Sequence, residues 1–160
     1  MDVEASDLPC IWILDPKGSG RKFQYEDNVV ELTVDSIQRF VTDYYEDKIK
    51  QYLKSDPIPK QATVDGLTVV VGKTHDDIVL DTSKDVFVMY YAPWCHICQA
   101  VAPFWEEFAK AVEDHVDIVI AKFDIVGNEA LNTNIQQYPT LRFYPRNDKN
   151  GVDYDDEPKV

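Results

Sequence analysis

Apolar positions divide the chain into two unequal stretches with different periodicities. Residues 8–14, Leu-Pro-Cys-Ile-Trp-Ile-Leu, read as a buried strand. Asp15-Pro-Lys-Gly-Ser-Gly is turn chemistry, and Lys22 to Glu26 alternates enough to return as a second, partly exposed strand. Thr33 or Asp35 then caps a helix. Its apolar positions Ile37, Phe40, Val41, Tyr44, Tyr45 and Ile49 recur every three or four residues, which predicts a helix to about Leu53 with one buried face. Ser55-Asp-Pro-Ile-Pro-Lys stops it and reads as a linker. A two-stranded ribbon with one helix is marginal on its own, so this stretch reads as the end of a larger domain.

From Ala62 the pattern changes. Leu67 to Val71 is a short apolar strand, and Thr74 caps a brief helix with Asp76 and Asp77 in its first turn. Val86-Phe-Val-Met-Tyr-Tyr shows no alternation, as expected of a central strand covered on both faces. After Ala92-Pro-Trp, a long helix starts at or beside Cys95, with Val101, Phe104, Trp105, Phe108, Ala109 and Val112 on its apolar face. Pro103 inside it removes one hydrogen bond and predicts a kink. A strand over Val116 to Phe123, a short helix over Asn128 to Ile135, a strand over Thr140 to Tyr144, a turn at Asn147-Asp-Lys-Asn-Gly and a last strand from Gly151 to Tyr154 complete the order βαβαβαββ. Strands alternating with helices predict an α/β sheet.

Charge then narrows the function. The 160 residues carry 29 acidic and 16 basic side chains, a formal charge of −13. That excludes nucleic acid as a partner, because phosphate recognition needs cations, and argues against anionic membrane surfaces. The 44% hydrophobic fraction suffices for a core. The longest apolar stretch, Val86 to Trp94, contains Pro93 and cannot span a bilayer, so no membrane insertion is expected. Met-Asp-Val-Glu has neither a basic nor an apolar leader pattern, and Glu-Pro-Lys-Val does not read as a retention signal, so neither is expected within these 160 residues.

Three cysteines, Cys10, Cys95 and Cys98, are too few and too odd for a disulfide framework. A C-x-x-C pair serves either as half a metal site or as a redox pair. A structural zinc needs four ligands, and only Cys10, His75, His96 and His115 remain to supply them, so no metal is expected. As a redox pair the spacing has a mechanism. At the first turn of a helix, unpaired N–H groups and the dipole favour the Cys95 thiolate, and Cys98, one turn on, can close a disulfide or resolve a mixed one. His96 either adds its charge to that helix end or is a plain exposed residue; Ile97 contributes bulk without charge. Pro139, after Tyr138, enters a strand where it cannot donate to the ladder. A cis bond there would leave neighbouring backbone free to pair with an extended peptide, although trans is the ordinary state. Lys122 in an apolar strand reads as outward-facing, with an acid–base role near Cys98 as the alternative. The run Asp153-Tyr-Asp-Asp-Glu reads as a solvated surface, with weak calcium binding the unspecific alternative. Cys10 reads as an inert core residue.

Residues 86–98, with Tyr91-Ala-Pro-Trp-Cys-His-Ile-Cys, resemble the active-site segment of the protein disulfide isomerase family. Ile118-Val-Ile-Ala-Lys-Phe-Asp and Tyr138-Pro-Thr-Leu-Arg-Phe-Tyr-Pro resemble its later strands. The resemblance implies a thioredoxin-like fold, a mixed central sheet flanked by helices, preceded by a partial second domain of the same kind. Residues 1–54 would be the end of a non-catalytic b′-like domain, 55–62 a linker, and 63–160 a catalytic a′-like domain lacking its terminal helix. It implies that Cys95 attacks, Cys98 resolves, Trp94 flanks the site, Pro139 is the cis-proline beside Tyr138, and Lys122 is the lysine that ordinarily pairs with a buried acid.

Four features depart from the family pattern. His96-Ile97 replaces Gly-His. Met89 replaces the buried acid, leaving Lys122 without its partner, hence neutral or turned outward. The arginine after the last strand is matched by Pro158 or absent. The terminal helix that the resemblance implies is expected to lie beyond residue 160.

The implied activity is thiol–disulfide exchange on unfolded or disulfide-bonded client proteins in the endoplasmic reticulum lumen. It would need no bound cofactor, with glutathione or a partner oxidase as redox partner, and the chain would belong to a larger parent chain or complex. The alternatives are a chaperone-like or scaffold subunit with vestigial redox activity, and a cytosolic thioredoxin-type reductase.

Overall fold

The computed structural model describes residues 8–15, 21–25, 29–131 and 133–154. They form two compact units, one ending at Tyr52 and the other beginning at Leu53.

In the first unit, β1 (Trp12–Leu14) pairs antiparallel with β2 (Lys22–Gln24), and α1 (Val34–Tyr45) follows. Thr33 caps α1 reciprocally with Ser36: Ser36 N–H donates to Thr33 Oγ1, and Thr33 N–H to Ser36 Oγ. Phe23, Tyr25 and Phe40 form the buried centre, bordered by Ile11, Ile13, Tyr44 and Ile49. The predicted helix end near Leu53 is corrected to Tyr45. Asp47 takes a left-handed φ of 53°, which a short polar side chain tolerates and which closes the helix. Ile49 still reaches the same cluster from the following loop, which is why the apolar spacing overran the helix. Tyr52 N–H donates to Lys22 O, so the chain returns along β2. β1 is shorter than predicted, and Cys10 lies outside it, half-buried and with a free thiol rather than in the core.

The second unit is built on a six-stranded sheet, ordered β3-β4-β6-β5-β7-β8. Its strands are β3 (Thr63–Val64), β4 (Leu67–Val70), β5 (Asp85–Tyr91), β6 (Ile118–Asp124), β7 (Thr140–Tyr144) and β8 (Val152–Asp153). β4 and β5 run parallel to β6; the other pairings are antiparallel. Helix α2 (His75–Val79) follows a single 3-10 turn, and α3 (His96–Ala111) follows β5. No helix among the described residues is long and apolar enough to cross a membrane.

Burial on β5 explains its unbroken apolar run. Val86, Val88 and Tyr90 face one core with Val70, Val79, Phe123 and Tyr144; Met89 faces the other with Trp105, Ala109, Leu67 and Ile120. Each such side chain removed from water contributes about 1.5–3 kcal/mol. Trp105 also donates its indole N–H to Ala121 O, fixing α3 on the sheet. Pro103 sits within one continuous helix.

The strands differ from expectation at four places. β3 was not predicted; Asp65 and Gly66, both at positive φ, form the tight turn that pairs it with β4. β6 starts at Ile118, because Val116 is exposed and lies before the ladder. No helix forms over 128–131 and 133–135. Asn128 is instead buried, accepting from Asp56 and Gly72 N–H and donating to Asp56 Oδ2 and Asp124 O. These bonds fasten residues 54–56 to the sheet, together with Glu129, which accepts from Lys54 N–H. Finally, Asp153 is not merely solvated: it sits in β8 and forms a two-pronged ion pair with Arg142 on β7. Residues 155–160, including Pro158, lie outside the described residues.

Candidate active site

The end of β5 delivers Tyr91 and Ala92 to a short turn, and α3 starts immediately after Cys95. Cys95 is the N-cap of α3, with extended backbone (φ −79°, ψ 112°). Its Sγ accepts the Cys98 N–H at 3.2 Å, the position in which a serine or aspartate oxygen would cap a helix. A sulfur so placed sits on the positive end of a sixteen-residue helix, which favours its thiolate.

Cys95 and Cys98 form a disulfide, their Cα atoms 5.2 Å apart. Cys95 is 9% exposed and Cys98 only 2%, so the outer sulfur is the one a substrate meets first. Across the site, the Tyr138–Pro139 bond is cis, and the Tyr138 carbonyl oxygen lies 3.7 Å from Cys95 Sγ. Ala92, Tyr91, Ile125 and Tyr138 pack around the two sulfurs. Trp94, 65% exposed, stands edge-on to Tyr138 with ring centroids 6.0 Å apart. Ile97 is 64% exposed and His96 is exposed beside it on the first turn of α3. The dithiol therefore lies under an open apolar rim of Trp94, Ile97 and Tyr138. Gln99 braces the approach turn by donating from its amide to Pro93 O.

Beneath Cys98 a cavity of about 100 Å³ is lined by Met89, Tyr91, Ala92, Pro93, Gln99, Ala102 and Lys122. Met89 and Lys122 are register partners on β5 and β6, and both face α3. Among the described residues no buried acid faces Lys122, whose register partner on β5 is Met89, and the lysine is partly exposed. Its Nζ lies 3.8 Å from Glu106 Oε1 on α3, with the lysine side chain 28% and the glutamate 58% exposed. This contact lies at the rim, where water shares the charge and lowers the cost of placing an ammonium beside the apolar interior. Glu106 was missed by the sequence reading. Its only signal was the spacing Cys98, Ala102, Glu106, four apart along one helix. Burial, and then the nearby Asp124 and Asp56 charges, push the Tyr91 phenol up.

On the opposite face of the sheet His75 is buried, its Nε2 within 3.0 Å of Tyr90 Oη and its Nδ1 within 3.0 Å of Asp76. The Tyr90 hydroxyl meets that of Tyr144 at 2.8 Å. Burial holds the His75 pKa below its ordinary value despite Asp76. The structure places His75, His96 and His115 apart from one another. Among the described residues no group of three or more His, Cys, Asp or Glu side chains is placed to hold a metal.

The Thioredoxin family profile matches residues 66–159, the portion that builds this site. The chain belongs to the thioredoxin family. Its thioredoxin domain is of the protein disulfide-isomerase type. The chain is 34% identical over 97% of its length to the protein disulfide-isomerase of Gallus gallus, covering 30% of that protein. It is 39% identical over 82% of its length to protein disulfide-isomerase A4 of Mus musculus, covering 20% of that protein. Among solved structures, the first thioredoxin domain of mouse protein disulfide-isomerase A4 superposes with a TM-score of 0.51 at 27% identity, covering 64% of this chain and 76% of that one. The chain thus spans less than a third of the length of these curated relatives.

Proposed function

We propose that this thioredoxin-family chain forms, reduces and rearranges disulfides in client proteins, as a protein disulfide-isomerase does. The observation that carries this is the Cys95–Cys98 disulfide at the start of α3, with the outer sulfur as N-cap facing the Tyr138 carbonyl. Cys95 attacks a client disulfide as thiolate; Cys98, one turn deeper, displaces the client from the mixed disulfide. The client is an unfolded or misoxidised polypeptide held as an extended segment against Tyr138 and the apolar Trp94–Ile97 rim. Glutathione or a partner oxidase resets the dithiol, with no bound cofactor. The setting is the lumen of the endoplasmic reticulum, where the poise of roughly −180 to −210 mV lets such a couple act in both directions. Residues 1–54 serve as the end of a non-catalytic b′-like domain within a longer parent protein, 55–62 as its linker, and 63–160 as the a′-like catalytic domain.

The test is turnover. The purified chain should restore activity to a scrambled multi-disulfide protein in a glutathione buffer, and the Cys95→Ser variant should not. Stoichiometric binding of the scrambled protein without any turnover by the parent would overturn the enzymatic reading and leave a chaperone-like one.

A further inference from the structure

Resting on the dithiol reading above, we propose that Ile97 is the residue by which this site chooses among client cysteines, favouring one flanked by bulky apolar side chains over one flanked by glycine or by carboxylates. A client sulfur must come within bonding distance of Cys95 Sγ. The residues beside it, about 3.3 Å apart in an extended chain, are then carried onto whatever surrounds Cys95. On one side stands the Tyr138 carbonyl, 3.7 Å from the sulfur, which can pair with any client backbone and so does not discriminate. Trp94 is 65% exposed and held edge-on to Tyr138, which fixes one apolar wall. Ile97, 64% exposed on the first turn of α3, supplies the other.

Ile97 does nothing for the fold that would explain it. It takes no part in the apolar clusters of this unit. A helix start favours acidic or polar side chains, yet the first turn of α3 carries no acid and presents this β-branched hydrocarbon to water. Its stiff χ1 means that little freedom is lost when a client side chain covers it. Roughly 60 Å² of apolar surface taken from water between the two corresponds to about a tenfold preference. A carboxylate beside the client cysteine gains nothing from this rim, and the chain's formal charge of −13 repels it.

The step selected is the first exchange. The Cys95 thiolate attacks one client sulfur, a Cys95–client bond forms as the client disulfide breaks, and the second client sulfur leaves as thiolate with that bond's electron pair. No further reactant enters.

The experiment mixes the reduced full chain rapidly with synthetic disulfide peptides that differ only in the residues on both sides of the cysteine: leucine, glycine or glutamate. Mixed-disulfide formation is followed by the release of a fluorescent half. The parent should react with the leucine peptide about tenfold faster than with the glycine one, and slowest with the glutamate one. In Ile97→Ala the leucine-to-glycine ratio should fall to about two to three, whereas Ile97→Leu should keep most of it. A parent without preference would overturn the proposal, as would an Ile97→Ala variant whose ratio is unchanged. So would a common slowing of all three peptides in Ile97→Ala, since Ile97 would then act on the reactivity of Cys95 rather than on the choice of client. Failure of the parent to react with any peptide would instead count against the dithiol reading.

Discussion

Replacing Asn128 with leucine should destabilise the second unit by about 3 kcal/mol. The asparagine is 4% exposed and makes four hydrogen bonds. Leucine has similar bulk and can make none of them. The Gly72 N–H is buried, so losing its acceptor leaves an orphaned donor at about 1–3 kcal/mol. The Asp56 N–H is only partly buried, and water can replace its partner in part, for about 1 kcal/mol. The two lost donations, to Asp56 Oδ2 and Asp124 O, add about 0.5 kcal/mol each, and burial of the leucine methyls offsets about 1 kcal/mol of the total. For a unit of this size about 3 kcal/mol corresponds to a Tm lower by roughly 12 °C in a thermal melt followed by circular dichroism. Asn128→Asp separates the two halves of the argument. It keeps both acceptor roles but sets a second carboxylate against Asp56. That raises the new group's folded pKa above its unfolded value of about 4, so the deficit should be greatest at neutral pH and shrink as pH falls through the folded pKa toward about 4. A leucine variant melting within about 3 °C of the parent would refute the reasoning. An aspartate variant that tracks the leucine one at every pH would refute it too.

Reduced protein treated with iodoacetamide at mildly acidic pH should be alkylated at Cys95 well before Cys98, because the outer sulfur caps α3 and the inner one is covered; peptide mapping that finds Cys98 labelled first would reverse the assignment. Cys98→Ser should accumulate mixed disulfides with clients on non-reducing gels, since Cys95 can attack while nothing adjacent resolves; release as fast as in the parent would mean that another thiol performs the step. His75 is held neutral by burial, its folded pKa below the unfolded value of about 6.5, so its contribution to stability is present above that pH and is lost as pH falls below it. His75→Gln should flatten that slope in denaturant midpoints measured from pH 5 to 7.5, and an unchanged slope would place the sensitivity elsewhere.

What could be read along the chain was whatever depends on local periodicity and spacing. The double-faced burial of β5, the apolar face of α3 and the C-x-x-C at its start are short-range patterns, and they placed Cys95, Cys98 and the approach through Trp94 without any tertiary information. The Asp65-Gly66 turn was equally legible and went unread. Three features required the folded chain. α1 stops at Tyr45 because one aspartate turns left-handed, while Ile49 keeps its place in the core from a loop; the hydrophobic period is indifferent to that difference. The helix predicted over 128–135 does not form among the described residues there, because Asn128 has partners at positions 56 and 72, far off in sequence and adjacent only once the sheet is assembled. The acid that accompanies Lys122 comes from α3 rather than from the neighbouring strand, and the packing of that helix on the sheet decides the pairing. Sequence determines how a segment can bury its own apolar face. Which distant polar group meets which is settled by close packing of the whole, where each buried donor and charge takes the partner the fold brings within reach.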